Sequence, residues 1–271
     1  MVAAAILRLS KKYQIDYLRD DAIRRLTFEY PSTLKGREAC VSNPWSRVGW
    51  CKGCSIDVIN LARETGIHSV LPYAFWEVTA GRSQTNYILE GRRRDDDTLA
   101  VLSPADQKMC LLATDRVRVA HANDMFGWLG EASTGCRSPH GCAKIRNSHV
   151  VRLWRPPSAT LSLLGWKVSD WKKGLCDPCA DIGTKVYEEG RLLVWNKLPS
   201  LFGLPEWAEL RSQEPDVSGK FEVCLQPVLH LHTNSQTPTP TLTPTLLLLE
   251  LPTEAVIPSG SIFHPNVLLS A

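Results

Sequence analysis

Two short-spaced cysteine pairs, Cys136-x5-Cys142 and Cys176-x2-Cys179, constrain this chain more than any other feature. Four sulfurs delivered as two pairs from separate segments form the ligand set of a tetrahedral structural zinc site, which would fix where those segments meet. The second pair stands at a predicted helix start. Asp177 suits the N-cap and Pro178 the first turn, and Cys179 falls on an inner stripe with Ile182, Val186, Gly190 and Leu193. Free N–H groups at such an end favour the thiolate, the form that binds metal. The first pair reads as a tight loop that Gly135, Pro139 and Gly141 allow to curl, with His140 able to replace one sulfur. Four protein ligands leave no open position, so a zinc held by Cys136, Cys142, Cys176 and Cys179 would be structural. Two other readings stay open: buried free thiols, and a disulfide between the two segments.

Helical periodicity dominates the rest of the chain. Val2, Ile6, Leu9 and Tyr13, then Ile15, Leu18, Ala22, Leu26 and Tyr30, predict two helices that Pro31 ends. Residues 32–54 lack periodicity and read as a long loop. Helices are expected over 57–64 and 68–80, divided at Thr65-Gly66, where glycine takes the left-handed cap. Arg92-Arg93-Arg94 followed by Asp95-Asp96-Asp97 reads as a solvated turn whose charges cancel locally. Ser103 and Pro104 open what reads as the longest helix, with Leu112, Val119, Ala122, Phe126 and Leu129 as its stripe as far as Gly130. A weaker helix is expected over 158–172, another from the Cys176 segment to about Leu198, and a closing turn or short helix over 201–210. Trp154, Trp166, Trp171, Trp195 and Trp207 read as core anchors.

The organisation that follows is a helical pair at 1–31, a loop or linker at 32–54, a helical domain at 55–211 and a tail at 212–271. Prolines crowd the tail, Thr-Pro repeats from Thr237 to Thr245, and charged residues nearly vanish. Such a stretch does not recover its ordering entropy and is expected to be disordered. The stretch after about Asp216 is expected to be read-through into non-coding sequence. The fold class expected is mostly α: an irregular helical bundle with long loops and a disordered C-terminal tail.

Composition narrows the function classes. A net charge of +3 is too mild to imply a nucleic acid or an acidic membrane as partner. Apolar runs such as Leu246 to Leu249 are far short of the ~20 residues that a membrane span needs. Nine cysteines, an odd number in a chain of this size, favour an intracellular setting with reduced thiols. Neither a Gly-rich phosphate loop nor an HExxH pattern is present, so no catalytic constellation is expected. Cys51-x2-Cys54 has no second pair at ordinary spacing and reads as incidental loop thiols, and His230 and His232 lack a folded frame. One enzyme alternative is a thiol–disulfide redox protein using Cys176 and Cys179, a Cys-x-Pro-Cys at a helix start. It requires a βαβ frame, which the sequence does not show.

Several segments together resemble fungal BTB/POZ-domain proteins. The first are Leu7-Arg8-Leu9-Ser10-Lys11-Lys12-Tyr13-Gln14-Ile15 with Leu18-Arg19-Asp20-Asp21-Ala22, and Asp57-Val58-Ile59-Asn60-Leu61-Ala62-Arg63-Glu64. The others are Leu102-Ser103-Pro104-Ala105-Asp106-Gln107, Val151-Arg152-Leu153-Trp154-Arg155-Pro156, and the run from Trp195 to Leu204. The resemblance implies that residues 2–30 correspond to the last helices of a BTB domain, with a helical C-terminal region after them. The BTB strands have no counterpart here, so BTB-type homodimerisation and cullin docking are not expected. It implies a non-enzymatic protein–protein interaction or scaffold module with protein partners. A chromatin or nucleic-acid-associated regulator is the alternative, and would require a basic face.

Overall fold

Stop signals and caps, more than apolar stripes, set the frame of the molecule. The computed structural model describes residues 2–41, 44–80, 84–154 and 171–214, all within one compact unit, Met1–Phe221. The fold is mostly α, as expected. Its helices are α1 Val2–Tyr13, α2 Asp16–Glu29, α3 Leu34–Val41, α4 Cys54–Thr65, α5 Leu71–Thr79 and α6 Gln84–Glu90. After a two-residue hairpin of β1 Arg92–Arg93 and β2 Leu99–Ala100 come α7 Pro104–Ala120, α8 Pro139–Trp154, α9 Asp177–Leu201 and α10 Trp207–Ser212. The helix expected over 158–172, apart from its last two residues, and the tail from 215 onward lie outside the described residues, as do His230 and His232. Among the described residues no helix is long and apolar enough to cross a membrane.

The caps form where the residue types demand them. Ser103 Oγ accepts the Asp106 amide at 3.2 Å and donates to the Asp106 carboxylate at 2.8 Å, closing the start of α7. That carboxylate is almost wholly buried and also takes Arg63 Nη2 of α4 at 2.9 Å. Gly66, at φ 82°, ends α4. Gln14 takes the same left-handed conformation at φ 55°, and the Ile15 amide returns to Ser10 O at 2.9 Å, so α1 ends in a Schellman turn without its usual glycine.

α5 is the centre. Every residue along it except Glu77 is buried, the mark of a helix surrounded by others. It is packed by α4, α6, α7 and α9. α9, 25 residues long, is the spine that joins this core to the cysteines. Tyr73 of α5 lies 5.5 Å from the Trp195 ring, and Trp195 stacks on Trp207 of α10 at 5.9 Å. Pro199 lies inside α9 and cannot donate to the carbonyl four residues back, Trp195 O. The Trp207 indole N–H takes that carbonyl instead, at 3.0 Å, and the helix continues to Leu201.

Several expectations are corrected. On α1 the buried residues are Ala3, Leu7 and Ser10, while Val2, Leu9 and Tyr13 are 78%, 52% and 61% exposed. Both faces of α1 carry apolar residues, so periodicity alone selected the wrong one. On α7 the buried face is Asp106, Cys110, Ala113, Val117 and Ala120, with Leu112 and Val119 outside. α7 is also not the longest helix: after Ala120 the chain widens into a π-helical turn, His121–Met125, and then a 3-10 turn, Gly127–Leu129. That widening wraps the chain over α9, where Gly190 is so close that an added Cβ would meet Asp124 O at 2.2 Å. α3 lies within the stretch read as loop, its buried face supplied by Arg37 and Cys40 rather than by an apolar stripe. The Arg92–Asp97 charges occupy the exposed turn of the hairpin, where Arg94 pairs with Asp57 at 2.5 Å. Of the expected anchors, Trp171, Trp195 and Trp207 are buried, and so are Trp76 and Trp128, which the sequence did not single out. The side chains of Trp154 and Trp166 lie outside the description.

Candidate metal centre

Two similar knuckles carry the four cysteines. In the first, Gly135 at φ 86° turns the chain, and the Cys136 amide closes a turn on Ser133 O at 3.1 Å. Pro139 then begins α8, whose first-turn amide, that of Cys142, bonds Ser138 O at 2.8 Å. In the second, Gly174 at φ 87° lies in a turn from Lys172 to Leu175, and Cys176 follows as the N-cap of α9. Asp177 and Pro178 are therefore the first two helical residues, so the helix starts one residue earlier than the sequence suggested, and Cys179 is the third. Cys142, expected in a loop, stands in a helix like Cys179. Each knuckle thus offers one sulfur from a turn and one from the first turn of a helix.

These knuckles converge. The sulfurs of Cys136, Cys142, Cys176 and Cys179 all lie within 4.8 Å of one another, and those of Cys136 and Cys176 are 3.9 Å apart. Sulfurs bound at about 2.3 Å to one tetrahedral ion stand about 3.8 Å apart. The cage would therefore close on a metal by contracting about 1 Å at most. Cys142 and Cys179 are buried, and Cys136 and Cys176 are half-buried. All four are free thiols, so the disulfide reading is not the state seen here. His140 is exposed and lies outside the converging set. Among the described residues no other group of three or more His, Cys, Asp or Glu comes together in this way.

Backbone amides point at the sulfurs. The Arg137 amide donates to Cys176 Sγ at 3.4 Å, and the Cys176 amide to Cys142 Sγ at 3.3 Å. Ser133 Oγ lies 3.3 Å from Cys179 Sγ. These contacts and the two helix N-termini favour thiolates, but four adjacent anions repel. These two influences pull the thiols in opposite directions. The Arg137 amide, followed by that of Cys179, lowers Cys176 to about 6. Cys136, although the Ser138 amide favours its thiolate, is pushed up to about 12 by burial and by the thiols of Cys179, Cys142 and Cys176. Cys142 is raised as well, because burial and the Cys176 thiol outweigh the Cys176 amide. Cys176 ionises easily where Cys136 and Cys142 do not, and a divalent cation at the centre would remove that conflict.

The second C-x2-C differs. Cys54 is the buried first residue of α4, its thiol pushed up to about 12 by burial and by Cys51. Among the described residues no group of three or more His, Cys, Asp or Glu includes this pair.

Beside the centre lies a cavity of about 360 Å³, lined by Trp128, Glu131, Ser133, Arg146, Cys179 and Val186 among others. Of the lining residues, sequence reasoning singled out Cys179, Ile182 and Val186. Had α8 been recognised, Arg146 would have stood out, because it lies one turn after Cys142 on the same face.

No protein family matches this chain, and no curated protein or solved structure does either.

Proposed function

We propose that the chain is a non-enzymatic, intracellular helical module whose Cys136, Cys142, Cys176 and Cys179 hold one structural zinc, and that it acts by binding other proteins. The convergence of four sulfurs from two separate knuckles carries the metal part of this reading. Bound zinc would supply charge neutralisation and a cross-link, and its four protein ligands leave no position for a substrate. The interaction part rests on the resemblance to the C-terminal region of fungal BTB/POZ proteins and on the exposed apolar face of α1. The basic residues argue against the nucleic-acid alternative, since many are already paired: Arg8 with Glu64, Arg63 with Asp106, Arg94 with Asp57, and Arg191 with Glu38.

Elemental analysis of the purified full chain tests the metal. One zinc per chain is expected, falling well below one in Cys176→Ser. A metal-free preparation that takes up no cobalt or zinc would end the proposal.

One observation favours a second reading. Cys176, held near 6 at a helix start beside Cys179, has the acidity of a redox-active thiol. Two further cysteines within reach of that pair fit a metal cage better than a dithiol. Insulin reduction that Cys176→Ser abolishes would reverse that order.

A further inference from the structure

Arg146 is the buried charge in this region that no protein group explains. It is only 7% exposed, and its Nε and Nη1 atoms are buried without a hydrogen-bond partner. Among the described residues no carboxylate forms an ion pair with it, although Glu131 shares the cavity lining. An unpaired guanidinium in such a place is costly, and arginine does not escape the cost by losing its proton. Its position supplies the reason. Arg146 follows Cys142 by four residues on α8, so the two share a face, and helical side chains lean toward the N-terminus, here toward the cysteines. Arg146 also lines the same cavity as Cys179 and Ser133.

The geometry points to Arg146 as the compensating charge of the metal centre: a positioning residue that stabilises the metal-loaded cluster without touching the ion. This inference rests on the zinc reading above. Four thiolates around one divalent cation carry a net charge of minus two in a partly buried site. A fixed positive charge one helical turn away lowers the energy of that state, and the loaded cluster in turn accounts for the buried guanidinium. A small anion in the cavity would also satisfy Arg146. It would, however, sit beside a dianionic centre and the Glu131 carboxylate, both of which repel it.

The test uses the full chain, zinc and a competing chelator, with Arg146→Met and Arg146→Lys as the variants. Met keeps the apolar stem and removes the charge, whereas Lys keeps the charge. Zinc affinity is expected to fall about 10- to 100-fold in Arg146→Met, the usual effect of losing an outer partner of a metal ligand, and to stay within about threefold in Arg146→Lys. Thermal unfolding of the metal-free proteins separates charge from packing. Removing an uncompensated buried charge leaves the Met variant no less stable than the parent when zinc is absent. Equal affinity in the parent and Arg146→Met, or equal losses in the Met and Lys variants, would overturn the inference while leaving the zinc site intact. A Met variant that is weaker both with and without zinc would show a packing role and overturn it too. A parent chain that binds no zinc would end both proposals.

Discussion

At the scale of the residue, the cysteines divide by the backbone that surrounds them. Cys176 receives the Arg137 amide and caps α9, whereas Cys136 and Cys142 are raised by burial and by neighbouring thiols. A thiol reacts as its thiolate, so the fraction available for alkylation rises as pH passes through its own titration point. In the metal-free protein Cys176 is therefore expected to react with iodoacetamide along a curve centred near pH 6, while Cys136 stays largely protonated until far above neutrality, toward 12. Zinc should suppress both reactions. Peptide mass spectrometry of pulse-alkylated protein reads each site separately, and coincident curves for the two cysteines would refute this division. The four converging cysteines were legible in the sequence because spacing and residue type single out a candidate metal set without a fold. Arg146 and the donating amides were not legible, because their relevance depends on which helix face and which turn meet in space.

At the scale of the element, punctuation proved more reliable than periodicity. Gly66, Ser103, Pro104 and Pro178 lie at helix ends or starts because each satisfies or dispenses with a backbone group there. The stripe on α1 and the Leu112 and Val119 part of that on α7 failed because each helix has apolar side chains on its outer face, whereas Phe126 and Leu129 are buried as expected. α8, opening with Pro-His-Gly, carries no clean stripe to reveal it. Pro199 is the opposite case, a stop signal that the fold overrides. Trp195 O loses its helical donor there, and the Trp207 indole replaces it. Trp207→Phe would keep the ring stacking but leave a buried carbonyl unpaired, at a cost of about 1–3 kcal/mol. Introducing Pro199→Ala into that variant restores a backbone donor to Trp195 O and should recover part of the loss. Urea unfolding of the two single variants and the double measures the coupling, and strictly additive effects would show that the indole is not the replacement donor.

At the scale of the whole molecule, the cysteines lie at the far end of α9 from the most deeply buried core. α4, α5, α7 and the C-terminal half of α9 pack around Phe75, Trp76 and Trp195, and none of the four cysteines belongs to that cluster. The starts of α8 and α9 depend on less: the 3-10 turn Gly127–Leu129, the Trp128–Trp171 contact at 5.0 Å, and the close fit of Gly183 against both of those rings. Structural zinc is worth on the order of 10 kcal/mol where folding waits on it, but here the expected effect is local, since the four cysteines lie outside the core cluster. Chelation should therefore raise amide hydrogen exchange first in the knuckles and the opening turns of α8 and α9, with α5 still protected. It should also change tryptophan emission through Trp128 and Trp171 before any global unfolding. If exchange instead rose in α5 as early as in the knuckles, the centre would be holding the entire fold together rather than clipping one end of its spine.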